Sequence, residues 1–461
     1  MRPLKDSIIF LIIFILSVPA FGGKQKAKLP QSAYLKSAKI ALLDREPRLE
    51  EAIMLLDSMI FYYGAAPEAY FFRGNIYAKY ATKATDLKKK IEQFTIMSAN
   101  YDSAFASCDN PDVKKDLKKE CKELTDLVDS MRVIYWAEGY NEGVKTIERL
   151  DKEYAPKIKE AADSAGILAA KEEMKIVADS GKLFFMIAAT VDPTDYRAYE
   201  GVGLVYDRMK DLDSSIIWFQ KANEHSPDTT SHIVQNIAYA YIQKNDYKPA
   251  TEYFKKYLKF APADGNTLFN IAICYSNMQE NDSAFKYDLM SIAADSTIAG
   301  AYIDAGQYFR IRSQKYSDSI KSSTQQDKGQ EAQRYTMQRD NLLDSSAAFF
   351  AVAARLEPNN VMVMEQYGVA RLVAGHYTEA SEIFKKLTEL EPFRKDHWLS
   401  LGDIYIQEQK FAEAIPPYEK AVEIDPGDSE IWRALRDIYQ NLGMQDKAKK
   451  AEEKLEELKK L

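Results

Sequence analysis

The chain has 461 residues and a net charge of −7, with 28% charged and 12% aromatic residues. The aromatic content excludes a chain that is disordered throughout, because disordered proteins lack the large apolar groups that build a core. The acidic balance argues against nucleic acid as the main ligand, since nucleic-acid binding needs a basic surface. The length fits two or three globular domains or one long array of repeats.

Residues 1–22 have the composition of an export signal. Arg2 and Lys5 form a short basic region, and an apolar run follows from Ile8 to Val18. This run is shorter than the roughly 20 residues that cross a bilayer, and small residues that suit cleavage follow it. We therefore expect a cleaved signal peptide and an exported, periplasmic protein. The alternative is an uncleaved segment that holds the chain on the membrane by its N-terminus.

Residues 23–32 are a basic stretch that contains Pro30, and we expect a mobile leader there. The chain has three cysteines, Cys108, Cys121 and Cys274. Cys108 and Cys121 flank a turn predicted at residues 110–111, and antiparallel helices would offset them by roughly 11 Å along the axis. A disulfide needs Cα atoms within about 7 Å of each other. The sequence therefore predicts three buried free thiols.

A motif with fixed spacing recurs through the C-terminal residues 361–461. It reads Trp398-x2-Leu401-Gly402-x2-Tyr405, followed by Ala414, Tyr418, Ala421 and Pro426. The phase holds on both sides, because Trp432 lies 34 residues after Trp398 and Gly368 lies 34 residues before Gly402. Large and small residues at these spacings are typical of a helix–turn–helix repeat of about 34 residues.

This pattern resembles the tetratricopeptide-repeat (TPR) family. The resemblance implies an all-α fold, a right-handed superhelix of about ten helix–turn–helix repeats, with first helices that line a concave groove. Regular repeats are expected over 196–461, and a degenerate region with overlong helices over 33–195. Glycine or alanine at position 8 of each repeat, as in Gly402, lets the two helices approach closely.

Residues 112–190 depart from the repeat length. The chain reads as one helix from Asp112 to about Tyr154, then a turn at Ala155 and Pro156, then a second long helix to Thr190. Apolar residues recur in the first helix at alternating steps of three and four, which predicts a buried seam: Cys121, Leu124, Val128, Met131 and Tyr135. Such helices would overhang the array. The overhang either packs on itself as a hairpin or carries a partner.

Residues 312–340 are a polar insertion between the two helices of one repeat. They form either a helical extension or a loose loop around Asp327 to Gly329. A second departure is the pair Pro416 and Pro417, which falls inside a second helix. Because interior proline removes a backbone hydrogen bond, we expect a local bend there.

The candidate binding residues follow from the resemblance, which implies that position 6 of each repeat faces the groove. Consecutive repeats place amide or carboxylate side chains there: Asn236, Asn270, Asp304 and Gln366. A side-chain amide has a donor and an acceptor and can bond a peptide backbone whatever its sequence. Apolar contact would come from Tyr239, Phe269 and Ile273. The alternative is that the polar residues are simply solvated on the groove wall.

The sequence holds no pattern that indicates catalysis, a cofactor or a metal. Its four histidines are not at metal-ligand spacing, and it has neither a phosphate-binding loop nor a nucleophile elbow. We therefore expect a non-enzymatic scaffold of the bacterial cell envelope that holds protein or extended peptide segments, without a small-molecule substrate. One alternative is a solenoid that assembles with itself through residues 112–190. Another is a membrane-anchored cytoplasmic scaffold.

Overall fold

The structure is a computed structural model that describes residues 29–64, 66–109, 115–161, 163–227, 231–325 and 329–459. Every regular element within these ranges is a helix, which confirms the all-α fold class. None of the helices in these ranges is long and apolar enough to cross a membrane. The signal peptide and most of the leader lie outside the described residues, so those predictions stay untested. The helices form two compact units, residues 1–209 and 210–461.

The first unit contains helix pairs and two overlong helices. Its helices are α1 (Gln31–Leu43), α2 (Leu49–Tyr63), α3 (Pro67–Lys83), α4 (Leu87–Cys108), α5 (Lys115–Arg149), α6 (Ala155–Glu160), α7 (Ser164–Val191) and α8 (Tyr196–Arg208). The pairs α1–α2 and α3–α4 pack as neighbours. Small and large residues alternate in the core between α1 and α2, where Ala38, Ala52 and Leu56 are fully buried.

The overlong helices pack on each other, as the hairpin alternative predicted. α5 lies along α7, and the helices approach closely at glycines. A Cβ atom on Gly139 would lie 2.9 Å from the Phe184 carbonyl oxygen, so only glycine allows this approach. The predicted seam is also confirmed, because Val128 is fully buried in a cluster that contains Phe94 of α4 and Ile187 of α7.

The turn predicted at Ala155 and Pro156 is wrong. A π-helical turn, Leu150–Tyr154, leads from α5 into α6 without a break. The Ala155 amide donates to the Leu150 carbonyl five residues back. This wider turn shifts the hydrogen-bond register just before Pro156, which has no N–H and clashes with an ordinary helical turn. The chain turns after α6 instead, where Asp163 caps α7 by accepting a 2.7 Å bond from the Gly166 amide.

The prediction of three free thiols is wrong for two of them. Cys108 and Cys121 form a disulfide with Cα atoms 5.7 Å apart, whereas Cys274 is buried and free. The predicted offset was measured from the turn between the helices. In the structure, α4 and α5 are staggered so that Cys121 lies level with Cys108, and Arg132 Nη2 of α5 donates to Asp102 Oδ1 of α4 at 2.5 Å.

The second unit is a regular array. Its helices are α9 (Leu212–His225), α10 (Ser231–Gln243), α11 (Tyr247–Tyr257), α12 (Gly265–Asn277), α13 (Asn281–Ala294), α14 (Ala299–Gln325), α15 (Gly329–Leu356), α16 (Val361–Val373), α17 (Tyr377–Leu390), α18 (Lys395–Gln407), α19 (Phe411–Ile424), α20 (Ser429–Asn441) and α21 (Gln445–Leu458). Each helix from α10 onward packs on the next one along the chain. This is the expected TPR solenoid arrangement.

The turn inside a repeat needs one left-handed residue. This residue is at position 15, counting from the first residue of each repeat (Ser231 or Lys395, for example). Gly375 has φ 85° and Gly443 has φ 73°, while Asn245 and Gln409 reach φ 58° and 60°. Glycine meets this requirement without a steric cost. The shared turn explains why the repeats keep one phase.

The polar insertion is a helical extension in the residues that the structure describes. α14 continues to Gln325 and α15 begins at Gly329, and the rings of Tyr316 and Tyr335 contact each other across the two helices at 6.2 Å. Residues 326–328 lie outside the described residues. α19 is continuous through Pro416 and Pro417, and the bend there stays a prediction.

The last helix closes the array with a charged outer face. α21 buries Ala448, Ala451 and Leu455 against the array, and most of its other residues are exposed. A terminal repeat needs such a face, because its outer side has no neighbour to cover it.

Candidate functional site

The four residues of the predicted polar ladder lie on consecutive first helices. Asn236 is on α10, Asn270 on α12, Asp304 on α14 and Gln366 on α16. All four are half-buried. They occupy the same repeat position, and their role in binding stays a prediction.

Two of the predicted site residues contact each other. Asn270 Nδ2 donates to the Tyr239 hydroxyl at 3.2 Å. The Tyr239 ring rests with its edge on Phe254, with centroids 5.3 Å apart, and 38% of the residue remains exposed. Burial raises the pKa of Tyr239, so the hydroxyl stays a donor and acceptor at neutral pH. These contacts present a fixed polar group on the surface that α10 and α12 share.

Phe269 and Ile273 are half-buried on α12. Phe269 has a packing role between helices, because a Cβ atom on Gly300 would lie 2.4 Å from its Cζ. Gly300 is in α14, so the phenylalanine ring fits directly against the next first helix. Phe269 therefore packs against α14, and its contact with a partner stays a prediction.

Asp304 lines a cavity of about 420 Å³ between α13 and α14, which we call the Asp288 pocket. Asp288, on α13, lies in the same wall and is only 2% exposed. Its Oδ1 atom is buried and has no hydrogen-bond partner among the described residues. Burial raises the pKa of Asp288 to about 8, and the nearby charge of Asp304 adds to the rise. Burial also raises the pKa of Asp304.

The side of the pocket toward solvent is ordered by aromatic and charged groups. The Tyr308 hydroxyl donates to Asp282 Oδ1 at 2.8 Å, and Arg312 Nη1 donates to the same hydroxyl at 2.8 Å. Phe285 stacks on Tyr308 with ring centroids 4.2 Å apart. Lys315 is exposed and also lines the pocket. The pocket thus has a carboxylate wall, an aromatic wall and a charged rim.

At the pocket, one repeat departs from the residue type of its neighbours. Position 24 of the repeat carries a buried aromatic ring in five other repeats, and the terminal repeat has Glu452 there. The five rings are Phe219, Phe254, Phe350, Phe384 and Tyr418. These rings fill the space beside position 8, so a Cβ atom on Gly402 would lie 2.7 Å from Tyr418. In the repeat 265–298, position 24 is Asp288. A carboxylate is much smaller than a phenyl ring, and Asp288 lies in the wall of the cavity.

Asp288 is not among the predicted site residues, because it departs from the repeat pattern. The available signal was a single acidic residue where every neighbouring repeat has an aromatic ring. Within the described ranges, no group of three or more His, Cys, Asp or Glu side chains is arranged to hold a metal ion.

Comparisons with known proteins match this architecture. Tetratricopeptide-repeat family models match residues 196–229, 231–264 and 368–429. Subunit 6 of the anaphase-promoting complex from Arabidopsis thaliana is 30% identical over 104 residues, which are 22% of this chain and 19% of that protein. The chain thus spans about a fifth of the length of this curated relative.

Solved structures of TPR proteins are similar at low identity. The C-terminal part of a TPR protein from Cytophaga hutchinsonii is 16% identical, with a TM-score of 0.38, over 57% of this chain and 95% of that one. YrrB, described as a TPR protein with an unusual peptide-binding site, is 16% identical, with a TM-score of 0.35, over 47% and 95% of the two chains.

The family assignment depends on the repeats themselves. The matched residues include α8 to α11 and most of α16 to α19, where the 34-residue phase and the ring at position 24 are most regular. The chain therefore contains tetratricopeptide repeats at these residues.

Proposed function

We propose that this protein is a non-enzymatic scaffold of the bacterial cell envelope, which holds an extended segment of a partner protein on the first helices of its regular repeats. TPR repeats indicate a protein–protein interaction scaffold. The envelope location, the extended segment and the lack of an enzymatic activity are our proposal.

The observation that carries the proposal is the series of half-buried polar side chains at position 6. Asn236, Asn270 and Gln366 each combine a donor and an acceptor, and Asp304 adds acceptors. First helices repeat along an array, so these groups recur at regular intervals. A peptide in an extended conformation presents backbone N–H and C=O groups at regular intervals too. The contact of Asn270 with Tyr239 fixes one amide in place for such bonding.

The export part of the proposal has two independent supports. One is the basic and apolar composition of residues 1–22. The other is the disulfide between Cys108 and Cys121, since disulfides persist in oxidising compartments and are rare in the cytosol. Thiol alkylation of protein taken from cells tests this location. We expect Cys108 and Cys121 to react only after reduction, and N-terminal sequencing to find a chain that begins after residue 22. Reactive thiols at both positions would favour a cytoplasmic protein.

Capture from envelope extracts at physiological salt tests the scaffold function. The double variant Asn236→Ala/Asn270→Ala should retain at least tenfold less partner than the wild type, because both lose groups that bond a peptide backbone. The matched control is Asn223→Ala/Asn441→Ala, which changes two exposed asparagines elsewhere in the array and should retain the partner within twofold. Equal losses in both double variants, or no specific partner for the wild type, would contradict the proposal.

A second candidate function is self-assembly through the long helices. Four large apolar side chains on α5 and α7 are between 62% and 69% exposed: Val133, Ile134, Leu168 and Ile176. Burial of apolar area of this kind drives association. Light scattering distinguishes the two functions. If self-assembly is correct, the wild type forms a concentration-dependent oligomer and Ile134→Glu/Ile176→Glu is a monomer.

A further inference from the structure

The Asp288 pocket lies within the regular helix packing of the array. The backbone around it keeps the repeat geometry, with α12, α13 and α14 packed in order. At position 24, Asp288 replaces the ring of the neighbouring repeats. A buried carboxyl group without a partner costs free energy. Position 24 of this repeat therefore lacks both the packing of a ring and a hydrogen-bond partner for the carboxyl group. A ligand that fills the space and bonds the carboxylate would restore both.

The charge of the pocket interior selects the sign of that ligand. Asp288 and Asp304 face the interior from two adjacent helices, and no basic residue bonds either of them in the described structure. Arg312 is already engaged with Asp282 and Tyr308. A cation that enters the pocket therefore meets two carboxyl groups.

The shape and lining of the pocket select the kind of cation. Ala284, Phe285 and Ile311 provide apolar lining next to the carboxyl groups. An alkyl chain that ends in a charged group fits such a lining, because its methylenes cover apolar surface while its head bonds the acids. A hard divalent ion such as Ca²⁺ prefers six to eight oxygen ligands, and the described residues hold no group of three or more His, Cys, Asp or Glu side chains arranged to bind a metal ion.

We propose that the Asp288 pocket binds the ammonium or guanidinium group of a lysine or arginine side chain in the bound partner segment, with the carboxylates of Asp288 and Asp304 as its hydrogen-bond acceptors. The source of the cation depends on the proposed scaffold function. The chemistry of the pocket depends only on its own residues.

Binding is coupled to a proton. At neutral pH the carboxyl group of Asp288 holds its proton in the unliganded pocket, because its pKa is raised. An arriving ammonium ion favours the ionised carboxylate. The carboxylic acid and the ammonium ion thus give a carboxylate–ammonium pair and one proton, which goes to the buffer. The other titratable or charged groups at the pocket are Asp304, Glu280, Asp282, Tyr308, Arg312 and Lys315.

Isothermal titration calorimetry of the protein without residues 1–22, with n-butylammonium chloride as the ligand, tests whether the pocket binds a cation. We expect saturable binding near pH 7 and a heat that differs between phosphate and Tris buffers, because the released proton is taken up with a different enthalpy in each. n-Butanol, which has no charge, should bind at least tenfold more weakly. Equal binding of butanol, or no binding of butylammonium, would overturn the proposal.

Variants locate the site. Asp288→Asn should weaken butylammonium binding at least tenfold and abolish the buffer dependence, and Asp304→Asn should weaken it as well. The matched control is Asp318→Asn, an exposed aspartate farther along α14, which should bind within twofold of the wild type. Circular dichroism and thermal melting confirm that each variant is folded. If Asp288→Asn binds butylammonium as the wild type does, the proposal is wrong.

A second arm separates this inference from the scaffold function. The wild type and Asp288→Asn are compared for capture of a protein partner before and after the partner's lysines are acetylated. Loss of capture both in Asp288→Asn and after acetylation supports a lysine source. Loss in Asp288→Asn without an effect of acetylation supports an arginine source. If a partner is captured equally by both proteins, the scaffold function stands and the pocket proposal fails. If butylammonium binds but no partner is captured, the scaffold function fails and the partner side chain is not the source.

Discussion

Two repeats of the second unit show how one position can serve packing or recognition. In residues 395–428, Tyr418 is 4% exposed, its ring lies against Gly402 and its hydroxyl donates to Asp403. In residues 265–298, the equivalent residue is Asp288, which is equally buried but has an oxygen without a partner. The helices are arranged alike in both repeats. The stacking of helix pairs therefore tolerates the loss of one internal ring.

The reason for this tolerance is the nearest-neighbour character of the array. Each helix pair is held by contacts within the repeat and to the adjacent repeats. Ile271 and Cys274 of α12 remain fully buried against Phe254 and Ala250 of the preceding pair. The repeat that contains Asp288 therefore keeps one intact interface, and the cavity lies on the other side, toward α14.

We expect the largest loss of stability when Tyr418 in the repeat 395–428 is replaced by aspartate, the residue found at the same position in the repeat 265–298. Tyr418→Asp removes a buried ring and leaves a carboxylate in a space without a cation. We expect a loss of about 4–5 kcal/mol in the free energy of unfolding, since truncation of a large core residue alone costs several kcal/mol. Hydrogen exchange of peptides from α18 and α19 measures the local loss.

The control for this variant is Tyr418→Phe, which keeps the ring and loses only the bond to Asp403. It should cost roughly 1 kcal/mol. If Tyr418→Asp costs no more than Tyr418→Phe, the ring at position 24 does not hold the regular repeat together, and the comparison of the two repeats fails.

The next largest effect is a pH-dependent gain in the free energy of unfolding when Asp288 is replaced by asparagine. The pKa of Asp288 is about 8 in the folded protein, above its ordinary value of 3.8, so the folded state binds the proton more tightly than the unfolded state. Folding stability therefore falls as the pH rises from the unfolded pKa to the folded pKa. Asp288→Asn removes this titration. Its stability relative to the wild type should rise by about 1 kcal/mol per pH unit between pH 4 and pH 8.

Urea unfolding at several pH values measures this gain, with Asp318→Asn as the control because that residue is exposed on the same helix as Asp304. The control should differ from the wild type by a constant amount across the range. A flat difference for Asp288→Asn as well would mean that the pocket does not hold a protonated acid.

The smallest of the three effects concerns the close approach of the two helices. A Cβ atom on Gly402 would lie 2.7 Å from the Tyr418 ring, so Gly402→Leu forces the helices apart. Overpacking of this kind costs about 1–3 kcal/mol. Gly427→Ala is the control, because its nearest atom would be 3.7 Å away. Thermal melting of both variants gives the comparison, and an unchanged melting temperature for Gly402→Leu would show that position 8 is not tightly packed.

The sequence was enough to predict the helix pairs and their phase, since each repeat restates the same spacing. Trp398, Gly402 and Pro426 mark one helix pair, and Gly368 sets the phase of the pair before it. The fold class followed from such local patterns, whereas the insertion at 312–340 allowed both a helical extension and a loop. What the sequence could not supply was the relative stagger of helices that are not related by the repeat.

The disulfide shows this limit. The distance between Cys108 and Cys121 depends on how far α5 slides along α4, and packing of Val128 against residues of α4 and α7 sets that distance. No local spacing encodes such a contact. The candidate site shows a different limit. Asn270 and Tyr239 could be assigned to one surface from their repeat positions, whereas Asp288 is informative only because it breaks the pattern of its neighbours.

The cavity beside Asp288 also has a consequence for how recognition sites can arise. Codons for tyrosine and aspartate differ in a single base, so a point mutation separates the Tyr418 arrangement from the Asp288 arrangement. In a globular core such a change would threaten the whole fold. In an array the cost stays with one helix pair and its neighbours. Selection can therefore introduce a polar pocket into one repeat at a time, while the other repeats maintain the fold.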